Sequence, residues 1–289
     1  MIIGGKREQV IGNIRRAAES GDFHRKVEVD DPVLTAEQKR LLLQNYLKKR
    51  KTRRFLANTR AARCAANTAS KIINKSTEIA GLENASWVAG GAIVTSNHFN
   101  PVDTTVPRVL ALKAGKKALY VANHEDNYAM PGWIGYLMNY ADTIPVSEDQ
   151  RFMAEQFDPM LTALLKQKNY VLFYPEQEMW FNYRKPRPLK RGAYYYAAKT
   201  GVPVLSCFVE IRDLEELDTP EFHKVRYVLH VLPTIFPDPE KSVRENSLAM
   251  CEQDYRQKKA AYEAAYGKKL DYRFEPGDIA GWIPPRAER

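Results

Sequence analysis

The chain has 289 residues, 44% of them apolar, with 44 Lys or Arg against 35 Asp or Glu and a formal net charge of +9. That length and apolar share suit one large α/β domain, alone or with an appendage, and argue against disorder. The cationic excess fits an anionic partner (membrane surface, nucleic acid or acidic carrier protein) as well as an ordinary basic soluble protein, and the scattered Cys64, Cys207 and Cys251 form no CxxC pair, which leaves a zinc ribbon or dithiol motif unsupported and reads as reduced core thiols in a cytoplasmic setting.

The opening Met1-Ile2-Ile3-Gly4-Gly5-Lys6 lacks the apolar core of a signal peptide. The residues that follow, up to Asp30, read as charged and irregular. Asp30-Asp31-Pro32 marks a break, after which Thr35 and Gln38 have the spacing of a capping box. A long basic helical segment is predicted next, interrupted near residues 57–59. From Lys39 to Lys75 it carries twelve Lys or Arg, and no acid falls between Glu37 and Glu78. Ala62, Ala65, Ala66, Ala69, Ile72 and Ile73 recur at helical spacing, so its second half is amphipathic. A polybasic amphipathic helix suits a membrane surface. It equally suits a solvated helix packed on a domain, and no recognition motif supports nucleic acid.

The longest uncharged stretch, between Glu83 and Asp103, contains Asn84, Ser86, Gly90, Gly91, Asn97, His98 and Asn100. That is too polar for a spanning helix, so any membrane contact is expected to be peripheral. From Trp87 onward short apolar runs alternate with helical segments. The predicted strands are 91–96, 118–122, 143–146, 170–174, 202–211 and 225–232. The predicted helices between them are 104–114, 132–140, 151–168 and 192–199. This alternation predicts an α/β fold with a mostly parallel sheet flanked by helices. A last polar helix, 243–266, follows Pro233, Pro237 and Pro239, and the tail 276–289 is expected to lack regular structure. The domain organisation expected is an N-terminal basic helical, membrane-associating region over 1–80 and an α/β domain over 81–289.

Three stretches can carry chemistry. His98 and Asp103 stand five positions apart beyond the strand at 91–96, where open α/β sheets bind ligands. A carboxylate on one imidazole nitrogen leaves the other free to take a proton from a hydroxyl. A capped turn with a surface histidine is the plainer alternative. Val171-Leu172-Phe173-Tyr174-Pro175-Glu176 reads as a strand stopped by proline, with Glu176 at the sheet edge; a solvated glutamate is its plainer alternative. Arg184, Lys185, Arg187, Lys190 and Arg191 put five cations in eight residues just before a helix. Its start adds positive character that suits a phosphate, although a solvated basic loop has the same sequence. His124-Glu125-Asp126 is read as a turn and not as a metal site, because no further spaced ligand completes a set.

Taken in order, these stretches resemble the glycerophospholipid acyltransferase family, whose best-known members are the 1-acylglycerol-3-phosphate acyltransferases. Asn97-His98 followed by Asp103 is similar to its His-x4-Asp block. Phe173-Tyr174-Pro175-Glu176 is similar to the start of its Phe-Pro-Glu-Gly block. Lys190-Arg191-Gly192-Ala193, Ala197-Ala198 and Gly201-Val202-Pro203-Val204 resemble its final block. Pro131-Gly132-Trp133-Ile134-Gly135 and Thr143-Ile144-Pro145-Val146 occupy the places of its second block, and the resemblance runs from Trp87 to Ile211.

The resemblance implies acyl transfer from a thioester, acyl-CoA or acyl carrier protein, to the hydroxyl of a lysophospholipid, foremost 1-acylglycerol-3-phosphate. His98 is then the general base and Asp103 orients it. Asn97, Glu176, Arg184, Arg187, Lys190 and Arg191 bind substrate, and no metal or other cofactor is needed. No acyl-enzyme is required, in keeping with the absence of a Gly-x-Ser-x-Gly elbow. The partners implied are an anionic membrane surface, the acyl donor and the lysolipid, at the cytoplasmic face of the membrane. The chain departs from the family where the Pro-Glu pair is usually followed by Gly-Thr-Arg: here Gln177-Glu178-Met179 follow. Asn123-His124 stand in place of a basic pair, and Ser147-Glu148 where an arginine commonly closes the second block, with Arg151 the nearest cation. These changes leave open another lysolipid or a glycolipid as acceptor, and a non-catalytic lipid- or nucleic-acid-binding protein on the same scaffold.

Overall fold

The computed structural model describes residues 6–285 apart from Asp30 and Trp87. The readings that fall on Met1–Gly5, Asp30, Trp87 and 286–289 therefore lie outside the described residues. The strands are β1 (Glu78–Ala80), β2 (Ala92–Thr95), β3 (Leu119–His124), β4 (Thr143–Val146), β5 (Tyr170–Phe173), β6 (Val204–Thr219) and β7 (Phe222–Val231). They form one sheet in the order β1-β7-β6-β2-β5-β3-β4. Every neighbouring pair is parallel except the β6–β7 hairpin. The helices are α1 (Arg7–Glu19), α2 (Ala36–Lys49), α3 (Arg53–Ile73), α4 (Thr105–Lys113), α5 (Gly132–Tyr140), α6 (Gln150–Phe152), α7 (Asp158–Lys166), α8 (Gly192–Thr200) and α9 (Val243–Tyr266). The mostly parallel, helix-flanked sheet that the alternation predicts is thus the architecture found.

Side chains alternate across the sheet because successive residues of a strand point to opposite faces. Ala92, Val94, Tyr170 and Leu172 join Phe99, Val106 and Leu110 in the core on the α4 face. Ile93 and Val171 join Tyr46 of α2, Leu161 of α7, Tyr194 of α8 and Met250 of α9 on the other. Each fully buried aliphatic contributes about 1.5–3 kcal/mol. Gly91, at the entry to β2, has no room for a side chain: a Cβ there would stand 2.2 Å from the Leu165 carbonyl oxygen. Helix packing at this end of β2 therefore depends on glycine.

Several local expectations are corrected. The stretch before Asp30 is not irregular. It contains α1, whose Val10, Ile11, Ile14, Ala17 and Ala18 are buried against Trp180, Phe181, Phe222 and Ile279. The basic segment breaks at Arg50–Thr52 and not at 57–59, because the Thr52 hydroxyl caps α3 by accepting the Phe55 N–H at 3.2 Å. The Thr35–Gln38 capping box does open α2. The helix predicted over 151–168 is divided by a π-helical turn, Met153–Phe157; Pro159, which has no N–H to give, stands just beyond it. Cys64 is exposed on α3 and is not a core thiol, whereas Cys207 is buried in β6. The tail is anchored through bridges of Ile279 to Tyr183 and of Trp282 to Phe222. Among the described residues no helix is long and apolar enough to cross a membrane.

Candidate active site

The site is built at the carboxyl ends of the central parallel strands. β2 is flanked by β5 and β6, and the loop beyond it brings His98 to Asp103, with Nδ1 and Oδ2 2.8 Å apart. The same Oδ2 accepts the backbone N–H groups of Phe99 at 2.8 Å and Asn100 at 3.2 Å, and Oδ1 accepts the Tyr174 hydroxyl at 2.6 Å. Asp103 is almost wholly buried, so these donors are what keep its carboxylate tolerable there. His98 keeps 22% of its side chain exposed. With Nδ1 directed at the carboxylate, the Nε2 lone pair is the one left to accept a proton. No partner for Nε2 occurs among the described residues.

Asn97 is buried and turned to β6. Its amide accepts the Val209 N–H at 2.8 Å and donates to the Val209 carbonyl at 3.0 Å, tying the loop to β6. Asn100 accepts the Val102 N–H and donates to Asn182, which in turn donates to the Ala280 carbonyl. Below the loop, Thr95 donates to Asp254 at 2.7 Å and accepts from Lys258 at 2.9 Å, while Ser206 and Tyr194 also bond Asp254. This enclosed network under the end of β2 joins the loop to α8 and α9. It gave no sequence signal, because its members are scattered from Thr95 to Lys258.

Glu176 does not stand on an edge strand: β5 lies between β2 and β3 in the middle of the sheet, and Glu176 is 2% exposed. One of its oxygens accepts the Arg187 backbone N–H at 2.9 Å. The other accepts Nε and Nη2 of Arg187, at 3.2 and 3.0 Å, and the His98 backbone N–H at 3.3 Å. Arg187 is fully buried and also donates to the Phe23 carbonyl at 2.9 Å. Burial lowers the affinity of its guanidinium for a proton, and the Glu176 charge opposes that. Gln177, in the place of the family's glycine, holds φ 68°, the left-handed conformation that glycine adopts most easily.

The other predicted cations divide into two kinds. Arg184 pairs with Asp213 and donates to the Gly277 carbonyl, and its neighbour Lys185 pairs with Asp278 at 2.8 Å. Lys190 and Arg191 are exposed and have no acidic partner among the described residues. The Lys190 N–H donates to the Pro175 carbonyl at 2.8 Å, which sets this pair beside Glu176. At the ends of β3 and β4 the surroundings are acidic: Glu125, Asp126 and Glu148 lie 3.5–3.7 Å from the ammonium of Lys39, which comes from α2. Burial opposes the charge on Lys39, but the three carboxylates outweigh it and raise its proton affinity. Arg151 is exposed and pairs with Glu155. No group of three or more His, Cys, Asp or Glu among the described residues could hold a metal.

The segment after α1 covers the site from a direction that nothing in the sequence indicates. The His24 ring lies 3.3 Å from the Glu176 carbonyl oxygen, and the Trp180 indole N–H donates to the Arg25 carbonyl at 3.0 Å. Burial lowers the His24 pKa, and the Lys190 and Arg187 charges add to that, against the bond to Glu176.

Residues 76–210 match the model of the acyltransferase family. No curated protein matches the chain. Among solved structures, the crystal structure of the 1-acyl-sn-glycerophosphate (LPA) acyltransferase PlsC from Thermotoga maritima is similar to this chain. The identity is 20%, over 80% of this chain and 89% of that one, with a TM-score of 0.48.

Proposed function

Residues 76–210 of this chain match the model of the acyltransferase family, and we propose that it moves a fatty acyl group from an acyl thioester to the free hydroxyl of a lysophospholipid, 1-acylglycerol-3-phosphate giving phosphatidate. The observation that carries this reading is the contact of His98 Nδ1 with Asp103 at 2.8 Å, which leaves Nε2 open. Nε2 takes the proton of the acceptor hydroxyl as its oxygen attacks the thioester carbonyl. The carbon–sulfur bond then breaks, and the imidazolium returns the proton to the departing thiolate. Asp103 holds the ring and balances the charge it gains. Glu176 and Arg187 set the wall of the site, and Lys190 and Arg191 are the cations available to an acceptor phosphate or to the phosphates of the donor, coenzyme A or acyl carrier protein.

The test is turnover of purified protein with acyl-CoA and 1-acylglycerol-3-phosphate, with His98→Ala as control. A loss of about 10²–10⁴-fold is expected; equal turnover by the two proteins sinks the mechanism. A second acceptor class is favoured by one observation: Lys39 is surrounded by Glu125, Asp126 and Glu148 where the family carries cations. Turnover of another lysolipid or a glycolipid, but not of 1-acylglycerol-3-phosphate, selects that reading. Association with an anionic membrane surface at its cytoplasmic face is part of the proposal, and rests on the exposed Lys48, Lys49, Lys51, Arg53 and Arg54 beside exposed Leu56. α5, which is bonded to α3 through the Tyr136 hydroxyl and the Asn58 carbonyl, adds exposed Trp133 to that face.

A further inference from the structure

The Phe-Pro-Glu-Gly block has an aromatic without a hydroxyl before its proline; this chain carries Tyr174 there. Its ring lies flat on the His98 imidazole, with centroids 3.9 Å apart and planes 12° from parallel. Its hydroxyl reaches Asp103 Oδ1 at 2.6 Å and Thr104 Oγ1 at 3.0 Å. An ionised carboxylate only accepts, so the tyrosine proton points at Asp103 and the Thr104 hydroxyl donates to the tyrosine oxygen. One side chain thus touches both members of the pair, through different atoms and by different forces.

We infer that Tyr174 is a positioning residue that governs how strongly Asp103 draws on the His98 ring. The inference rests on the reading of His98 as the base. Asp103 divides its charge among four donors: the His98 ring, the Phe99 and Asn100 N–H groups, and the Tyr174 hydroxyl. A carboxylate with its oxygens so occupied is a weaker base and a weaker partner for an imidazolium. The tyrosine hydroxyl thereby restrains the pull of Asp103 on the ring, while the stacked phenol fixes the plane in which Nε2 points. Burial holds the Tyr174 phenol well above its ordinary pKa, and the Asp103 charge adds to this, so it stays a donor throughout the working range.

The other charged and titratable groups around the pair come from several elements. Glu176 meets the His98 backbone N–H, and Glu28, from the segment after α1, faces His98. Arg108 of α4 faces Tyr174, and Tyr227 of β7 faces Asp103. None of these four is hydrogen-bonded to the Tyr174 hydroxyl among the described residues, so its removal breaks only the links to Asp103 and Thr104.

Tyr174→Phe keeps the ring and removes only the hydroxyl. The acidic limb of the kcat/KM–pH profile is expected to move to higher pH by about half a unit. kcat at a pH below the limb is expected to fall roughly threefold while KM stays unchanged. The His98 ring-proton NMR titration, identified among the five histidines by its loss in His98→Ala, moves the same way and needs no substrate. Tyr174→Leu, which also removes the stack, loses a further several-fold in kcat. A Tyr174→Phe protein whose His98 titration matches wild type overturns the inference, whatever its activity. A shifted titration without acyl transfer to any lysolipid upholds the coupling and sinks the proposed activity instead.

Discussion

Arg187 closes on Glu176 across eleven residues: two guanidinium nitrogens on one carboxylate oxygen, and the arginine's own backbone N–H on the other. Neither side chain has appreciable contact with solvent. Removing one partner of such a pair leaves the other charged and buried, which typically costs 3–5 kcal/mol. Arg187→Met is expected to destabilise by about that amount in urea unfolding, and the double variant Arg187→Met, Glu176→Leu by clearly less. A double variant as unstable as the sum of the singles contradicts the pairing.

Gln177, next in the chain, holds φ 68°. A residue with a Cβ costs about 1–2 kcal/mol in that region, part of which glycine returns through its freer unfolded state. Gln177→Gly is therefore expected to raise stability by about 0.5–1 kcal/mol. A destabilised variant indicates that the glutamine side chain makes a contact worth more than the strain.

Ile14 is fully buried where α1 meets Trp180 and Phe181. Ile14→Ala is expected to cost about 2–4 kcal/mol, through lost burial and the cavity left behind. Because the segment after α1 bonds Trp180 and Arg187, the Trp180 indole proton should also exchange with solvent faster. Unchanged exchange would mean that α1 and the cover over the site are independent.

Glu210 in β6 is 3% exposed. Burial alone would raise its pKa, but hydrogen bonds from Arg212 and His230 outweigh it and bring the carboxyl below its ordinary 4.5. A lowered folded value means stability that is fully present above pH 4.5 and is lost as pH falls through the folded value. The stability difference between wild type and Glu210→Gln should accordingly be constant near neutrality and shrink below pH 4.5. A difference that grows on acidification reverses the sign and refutes the account.

Trp133 and Leu56 are 64% and 51% exposed, and the cations of α2 and α3 lie near Leu56 in the chain. Exchange of both for serine should weaken binding to vesicles containing anionic lipid by about tenfold. Added salt should weaken the wild type as well. Sedimentation with vesicles measures both; indifference to the two changes removes this face from the membrane proposal.

Much of the scaffold was legible because strong punctuation frames it. Thr143–Val146, Gly132–Tyr140 and Val243–Tyr266 begin and end as the periodicity indicates. α1 escaped because Arg7, Arg15 and Arg16 dilute its apolar stripe, whose purpose is visible only once Trp180 and Phe181 lie against it. His98 and Asp103 could be paired from spacing, since five residues of loop suffice to join them. The cations from Arg184 to Arg191 could not be ranked: the chain spells them alike, and burial alone separates Arg187 from Lys190. Tyr174 lies within the Phe-Tyr-Pro-Glu stretch, but its hydroxyl meets Asp103 only because β5 lies beside β2.

The bond from Trp180 to Arg25 spans 155 residues. At synthesis rates of about 5–20 residues per second, the stripe of Val10, Ile11 and Ile14 waits roughly 8–30 s before its partner exists. For that interval it is an unclaimed greasy surface on a growing chain, open to holdase chaperones or to stray association. Completion of the wall beside His98 is then a late, long-range closure event. Variants that weaken α1 should therefore lower the yield of active protein made in cells more than they lower the activity of the molecules that do fold.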